Sequence, residues 1–195
     1  MLGIFATIAW ALAYSAVAKR GAGLVLSVAA GLAVFAIVGT AVRELTIGPL
    51  VLYLALVLAL VVTIRLNRSS PGEFLVRLPW WDLPARMVLA TTLVLAITSS
   101  AELLGPRLSG LLATIPLYAS ILAGFGHTLA GPRAAIDVWR GLLFGLFGFG
   151  AFYLTLALLL EPLGLAAFAA AMTAAVVMQA LTLRLLRRSP TVQSE

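Results

Sequence analysis

Few side chains in this sequence could do chemistry, and most of them fall in two apolar stretches. Thr91, Thr98 and Glu102 are separated by seven and four residues, so a helix places them on one face, with Ser99 widening it. Glu102 is the acid with the clearest place inside a hydrophobic run. A carboxylate in hydrocarbon costs roughly 2.5–3.5 kcal/mol on insertion scales, so it marks either a proton or cation site or a position near the lipid surface. On the second reading it pairs with Arg107 across the next turn. The following stretch holds Pro116, Tyr118, Ser120 and His127. A proline in a membrane helix frees a carbonyl and leaves a kink, which is either plain shape or exposed polar backbone lining a cavity. His127 is the single histidine. It is either a proton relay, since histidine changes charge near neutral pH, or an interfacial residue at a helix end.

A polar path for ions or a small solute would use Thr91, Thr98, Ser99, Glu102, Pro116, Tyr118, Ser120 and His127. Thr7 and Tyr14, seven apart and next to Trp10, could face the same space. Gly141, Gly145 and Gly148 are spaced four and three apart, and Phe152 continues the stripe. Small residues on one face let another backbone approach closely, so this is a packing surface, internal or in a homodimer. Gln179 and Thr182 are suited to hydrogen bonds between helices or to an interface.

The elements that must position these residues are membrane helices. The chain has 195 residues, 63% hydrophobic and 10% charged, with a mean hydropathy of +1.12. A soluble domain is nearer half apolar and a quarter charged. The apolar runs are long and unbroken, which suits helices of roughly 20 residues and not the short alternating strands of a barrel. Seven spans are expected: Leu2–Ala18, Gly21–Val42, Thr46–Ile64, Met87–Leu104, Leu108–Leu129, Trp139–Leu160 and Leu163–Leu183. Tight turns at Arg43–Leu45 and at Gly105–Arg107, which contains Pro106, would separate the closely spaced pairs. The single membrane domain then divides into a three-helix unit (1–64), a connection (65–86), a four-helix unit (87–188) and a tail (189–195).

The connection reads PGEFLVRLPWWDLPAR over Pro71–Arg86. Pro79 and Pro84 should break any long helix in it. Trp80 and Trp81 suit the headgroup level, either in a segment lying on the membrane or in an ordinary loop. Trp139 is expected to be a similar anchor at the start of span six.

Charge sets the orientation. With the N-terminus outside, Lys19, Arg20, Arg65, Arg68, Arg77, Arg86, Arg133, Arg140, Arg184, Arg187 and Arg188 all fall on the cytoplasmic side. Only Arg43 and Arg107 fall outside. Basic residues favour the cytoplasmic side, so the N-terminus is expected outside and the C-terminus inside. A shift of 87 residues lays span one on Leu89–Gly105 and span three over the start of span six. It matches Gly23 to Gly110, Ala36 to Ala123 and Gly39 to Gly126. Three spans per copy would make a 3+3 inverted repeat plus one, an arrangement known in transporters.

The stretch GLLATIPLYASILAGFGH (Gly110–His127), with the Pro-Arg that precedes it, resembles GlpM-like small bacterial inner-membrane proteins through Gly110, Pro116 and Ser120. The resemblance runs over roughly Leu83–Arg188. It implies a bacterial cytoplasmic membrane and a link to envelope polysaccharide production, and it supplies no substrate.

With no cysteine and one histidine, no thiolate or His-Glu-x-x-His metal site is available. No cofactor motif or catalytic constellation stands out, so an enzyme is not expected. The basic balance is explained at helix ends without nucleic acid. Three functions remain: a small-solute permease or exporter; a non-catalytic accessory or scaffold subunit of an envelope assembly complex; and, against the general expectation, a membrane enzyme acting on lipid, with polar groups at headgroup depth bordered by Trp80–Arg86.

Overall fold

The computed structural model describes residues 2–42, 47–67, 80–113 and 116–188, with the backbone alone at 97, 100–113 and 186–188. Seven helices form there: α1 (Leu2–Lys19), α2 (Leu24–Ala41), α3 (Pro49–Leu66), α4 (Asp82–Ala113), α5 (Leu117–Ala130), α6 (Pro132–Leu163) and α7 (Ala166–Arg188). Their boundaries follow local chemistry. Pro49 and Pro132 stand in the first turns of α3 and α6, where no amide donor is needed. Gly131 (φ 86°) and Gly164 (φ 52°) take the left-handed backbone that stops α5 and α6, a conformation costly for residues with a Cβ.

α6 touches the most neighbours, and α1 is the most enclosed of the candidate spans. Half of its residues are covered by protein, against 17% of the α3 span. Its packing with α2 and that of α6 with α7 are the most extensive, and α3 and α5 close on α6. One core joins α1, α2, α3, α5 and α6, so the expected three-helix and four-helix units interlock. Trp10 and Phe35 meet edge to face at 5.6 Å between ring centroids, and Trp139 lies 5.8 Å from both Trp10 and Tyr14. The indole of Trp10 lies against Gly31 so closely that a methyl group there would overlap the ring. Gly150 of α6 admits Leu56 and Tyr53 of α3 in the same way.

The outside is as apolar as the inside. Val25, Leu58, Val88 and Leu165 all point away from the protein. Contiguous apolar surface on this scale does not face water in a soluble monomer. Among the described residues five helices are long and apolar enough to cross a bilayer: α1, α2, α3, α6 and the Ala166–Leu185 part of α7. The protein is an all-helical membrane protein.

Three local expectations are corrected. The turn expected at Gly105–Arg107 is not there: α4 (Asp82–Ala113) runs 32 residues through it, and α5 starts at Leu117 with Pro116 as its N-cap. α5 is therefore 14 residues long, about 21 Å at 1.5 Å per residue, shorter than a hydrocarbon core of about 30 Å. Proline in a membrane helix can be carried when neighbouring groups take up the freed carbonyl. Pro84 also fails to break its helix, because it sits in the first turn of α4, where its missing donor costs nothing. Trp139 is not an anchor. α6 begins seven residues earlier, at Pro132, and carries the indole into the core at 1% exposure.

Trp80 is exposed, and Asp82 begins α4 buried and paired with Arg86 at 2.9 Å. The turn at Arg43–Leu45, the 68–79 part of the connection and the tail lie outside the described residues.

The two ends of the bundle are chemically distinct. At one, Leu2, Pro49, Leu52, Tyr153 and Leu160 surround an open hollow. At the other, Lys19 Nζ donates to Leu66 O (3.2 Å) and Asn67 Oδ1 (3.0 Å), joining the ends of α1 and α3. Ala18 and Lys19 share that end with Ala130 and Arg133, where α5 gives way to α6. Arg86 covers the ring of Phe125 at 5.1 Å in the second half of α5. Lys19, Arg65 and Arg133 therefore gather at one end of the molecule, the grouping that the charge count requires.

Candidate functional site

Among the described side chains, the polar residues expected to line a path do not meet at one place. Thr91, Thr98 and Ser99 share α4 but are exposed. Thr98 Oγ1 turns back to donate to Val94 O of its own helix (2.8 Å), the usual way a hydroxyl is satisfied where no water is present. The side chain of Glu102, and with it any pairing to Arg107, lies outside the described residues. Pro116 is not a kink within a span. It caps the start of α5, and its carbonyl accepts from Ser120 Oγ at 2.9 Å. Tyr118 points outward at 69% exposure. Thr182 Oγ1 donates to Met178 O, within its own helix.

His127 is brought to a different place. Its Nδ1 lies 2.7 Å from Tyr14 Oη, and the rings meet edge to face at 6.0 Å. The tautomer decides the direction: Tyr14 O–H donates to a bare Nδ1, or an Nδ1–H donates to the phenol oxygen. Either way a phenol and an imidazole share one proton position between α1 and α5. α1 builds this site by its spacing. Thr7, Trp10 with Ala11, Tyr14 and Ala18 recur at three, four and seven residues along one face, and all are buried. The alanines bring the neighbouring backbones close, and the rings fill the space between.

The same seam holds polar atoms with nothing to bond. Trp10 Nε1, Ser15 Oγ and Trp139 Nε1 are buried without a partner, although each residue is at most 2% exposed. Buried polar groups nearly always find a partner, and one left without costs about 1–3 kcal/mol. Two of these groups belong to the ring cluster around Tyr14, where Trp139 lies 5.8 Å from both Trp10 and Tyr14, and the third, Ser15, follows Tyr14 on α1. A passing water or hydroxyl-bearing solute would satisfy them.

The glycine stripe on α6 divides. Gly148 is closely approached by Ala175 O and Gln179 of α7, so it is a packing residue. Beside Gly141 and Gly145 a side chain would meet nothing within 4 Å. Gly145 and Gly148 floor an apolar groove of about 550 Å³ between α6 and α7, rimmed by Phe149, Phe152, Met172 and Gln179. Among the described residues no group of His, Cys, Asp or Glu is arranged to hold a metal ion.

Sequence reasoning found Tyr14 and His127 separately. It missed their pairing, the burial of Trp139, and the close-packing roles of Gly31 and Gly150. The alternation of small and aromatic residues along α1 was the available signal for a buried helix. Nothing local links residues 113 positions apart. No protein family, curated protein or solved structure matches the chain.

Proposed function

We propose that the protein is a small-solute permease or exporter of a bacterial cytoplasmic membrane, with seven spans, the N-terminus outside and the C-terminus in the cytosol. The observation that carries this is the partly buried Tyr14–His127 pair, on a helix where Trp10 Nε1 and Ser15 Oγ, with Trp139 Nε1 of α6, are buried without a partner. Polar groups inside a membrane bundle are expensive and mark solute or proton routes. On this reading the route follows α1, and the packed form is its closed state. Proton coupling falls to the phenol–imidazole pair, and Glu102 is a second proton or cation site on α4. The 87-residue correspondence places α3 on the middle of α6, and these two helices pack together, as equivalent elements near the axis of an inverted repeat would.

The test is flux into proteoliposomes loaded with a pH-sensitive dye and offered amino acids, sugars and small organic acids in turn. A solute-dependent pH change should be lost in Tyr14→Phe and His127→Gln, reduced in Glu102→Gln, and kept in Thr98→Val. Flux unchanged in both Tyr14→Phe and His127→Gln would remove the pair from the mechanism. Reporter fusions after residues 44 and 132 should lie on opposite sides of the membrane.

A second reading is an accessory or scaffold subunit. The dense aromatic core favours it, as does the open glycine face of α6, which leaves room for a helix of a second copy or of a partner. The resemblance to GlpM-like proteins would connect that role with envelope polysaccharide assembly. Purification in mild detergent should then retain a partner in fixed ratio, with no solute flux.

A further inference from the structure

We infer that the basic end of the bundle binds a phosphate-type anion, in a hollow of about 470 Å³ where α1 ends and α6 begins. Lys19 and Arg133 line it from opposite elements, with Gly21, Ala130 and Pro132 between them, and no acidic residue is among the lining groups. Lys19 spends two hydrogen bonds on Leu66 O and Asn67 Oδ1, both neutral acceptors, so its charge is not compensated by them. Arg133 is exposed and forms no ion pair among the described residues. Asp137, one turn further along α6, lies outside the lining.

The backbone adds donors. α6 begins at Gly131, which has no side chain to cap it, and Pro132, which has no amide. The Arg133 and Ala134 amides are among those a helix leaves without an acceptor in its first turn, and they make no bond to a neighbouring element. Such a terminus carries about half a positive charge and suits an oxyanion. The ends of α1, α3 and α5 lie nearby and oppose this with about half a negative charge each. Those partial charges sum to about one negative unit, against two full positive charges on Lys19 and Arg133, so the hollow stays positive. A guanidinium and an ammonium lining one space, at the start of a helix, fit the oxygens of a phosphate group. At a cytoplasmic membrane surface that group belongs to an anionic lipid headgroup or to a free phosphate compound. This inference stands whether or not the protein transports anything.

The full-length protein in phosphatidylcholine nanodiscs should bind inorganic phosphate by isothermal titration if the source is a free anion. If the source is lipid, native mass spectrometry should show phosphatidylglycerol retained over phosphatidylcholine, with no phosphate binding. Either result supports the site, provided Arg133→Gln weakens the binding at least fivefold, Arg133→Lys restores most of it, and Arg184→Gln, a basic change outside the hollow, leaves it intact. Lys19→Gln, which keeps a donor for Leu66 O, should weaken it as well and serves if Arg133→Gln folds poorly. Equal loss in Arg133→Gln and Arg184→Gln would reduce the effect to diffuse surface charge. That outcome, or the absence of binding by either probe, overturns the proposal.

Discussion

α1 and α4 both carry hydroxyl groups at helical spacing, and they end in opposite surroundings. On α1, Thr7, Tyr14 and Ser15 are buried, and the helix is enclosed by α2, α3 and α6. On α4, Thr91, Thr98 and Ser99 are exposed, alongside Val88, Val94 and Leu95. The neighbours make the difference. α1 alternates its polar and aromatic groups with Ala6, Ala11 and Ala18, which other helices can touch. α4 packs mainly on α5, and its flank is of Leu, Val and Thr, which lipid covers equally well. A polar stripe on a membrane helix thus says that the face is unusual, and only the packing says whether it looks inward.

The sharpest test of the contrast is to remove bulk from each helix environment. Trp139→Ala empties the space between Trp10 and Tyr14 and should cost about 3 kcal/mol in detergent unfolding. This is the low end of the range for buried aromatic truncations, because lipid is itself apolar and only the packing and cavity part is lost. Leu95→Ala on α4 should cost almost nothing, since lipid replaces the missing atoms. Equal losses at the two sites would break the comparison, by showing that α4 is covered as tightly as α1.

A finer test addresses polarity. In a double-mutant cycle of Tyr14→Phe and His127→Phe, the coupling energy should be about 0.6 kcal/mol, the usual size for hydrogen bonds between membrane helices. If the pair also serves the proposed proton route, flux will fall far more than stability does. A coupling near zero would mean that the 2.7 Å contact is not kept in the membrane.

Much of this architecture was legible in the residues, for identifiable reasons. The apolar runs of α1, α2, α3, α6 and α7 reveal themselves because hydrocarbon demands roughly 20 consecutive apolar residues and tolerates few charges. The gathering of Lys19, Arg65 and Arg133 at one end is readable because their side alternates with each crossing. The division of residues 82–130 was not. Gly105–Arg107 has the composition of a turn, yet the helix continues through it and the next helix starts at Leu117, capped by Pro116, because proline can be carried inside a helix or begin one and the neighbours decide which. Trp139 was misplaced for a related reason. An aromatic residue near a helix end suits the headgroup layer, but α6 starts two turns earlier than its apolar run, and that extra length moves the indole inward. The sequence could place Tyr14 and His127 toward one space, but not in a hydrogen bond, since no local pattern links residues 113 positions apart.

The smallest expected effect is also the one that best bounds what α4 does. Thr98 Oγ1 bonds only to its own backbone, so Thr98→Val, close in size and shape, should change stability by less than about 0.5 kcal/mol. The reason is local: the hydroxyl gives its hydrogen bond to Val94 O, whose primary helical bond is unaffected by the loss, and the new methyl meets lipid. A fall of more than about 1 kcal/mol would require something other than lipid against this face. If that fall also grew with protein concentration in the detergent micelle, the covering group would be another copy of the chain. α4 would then belong with α1 as a buried helix of an assembly, and its polar stripe would face a partner.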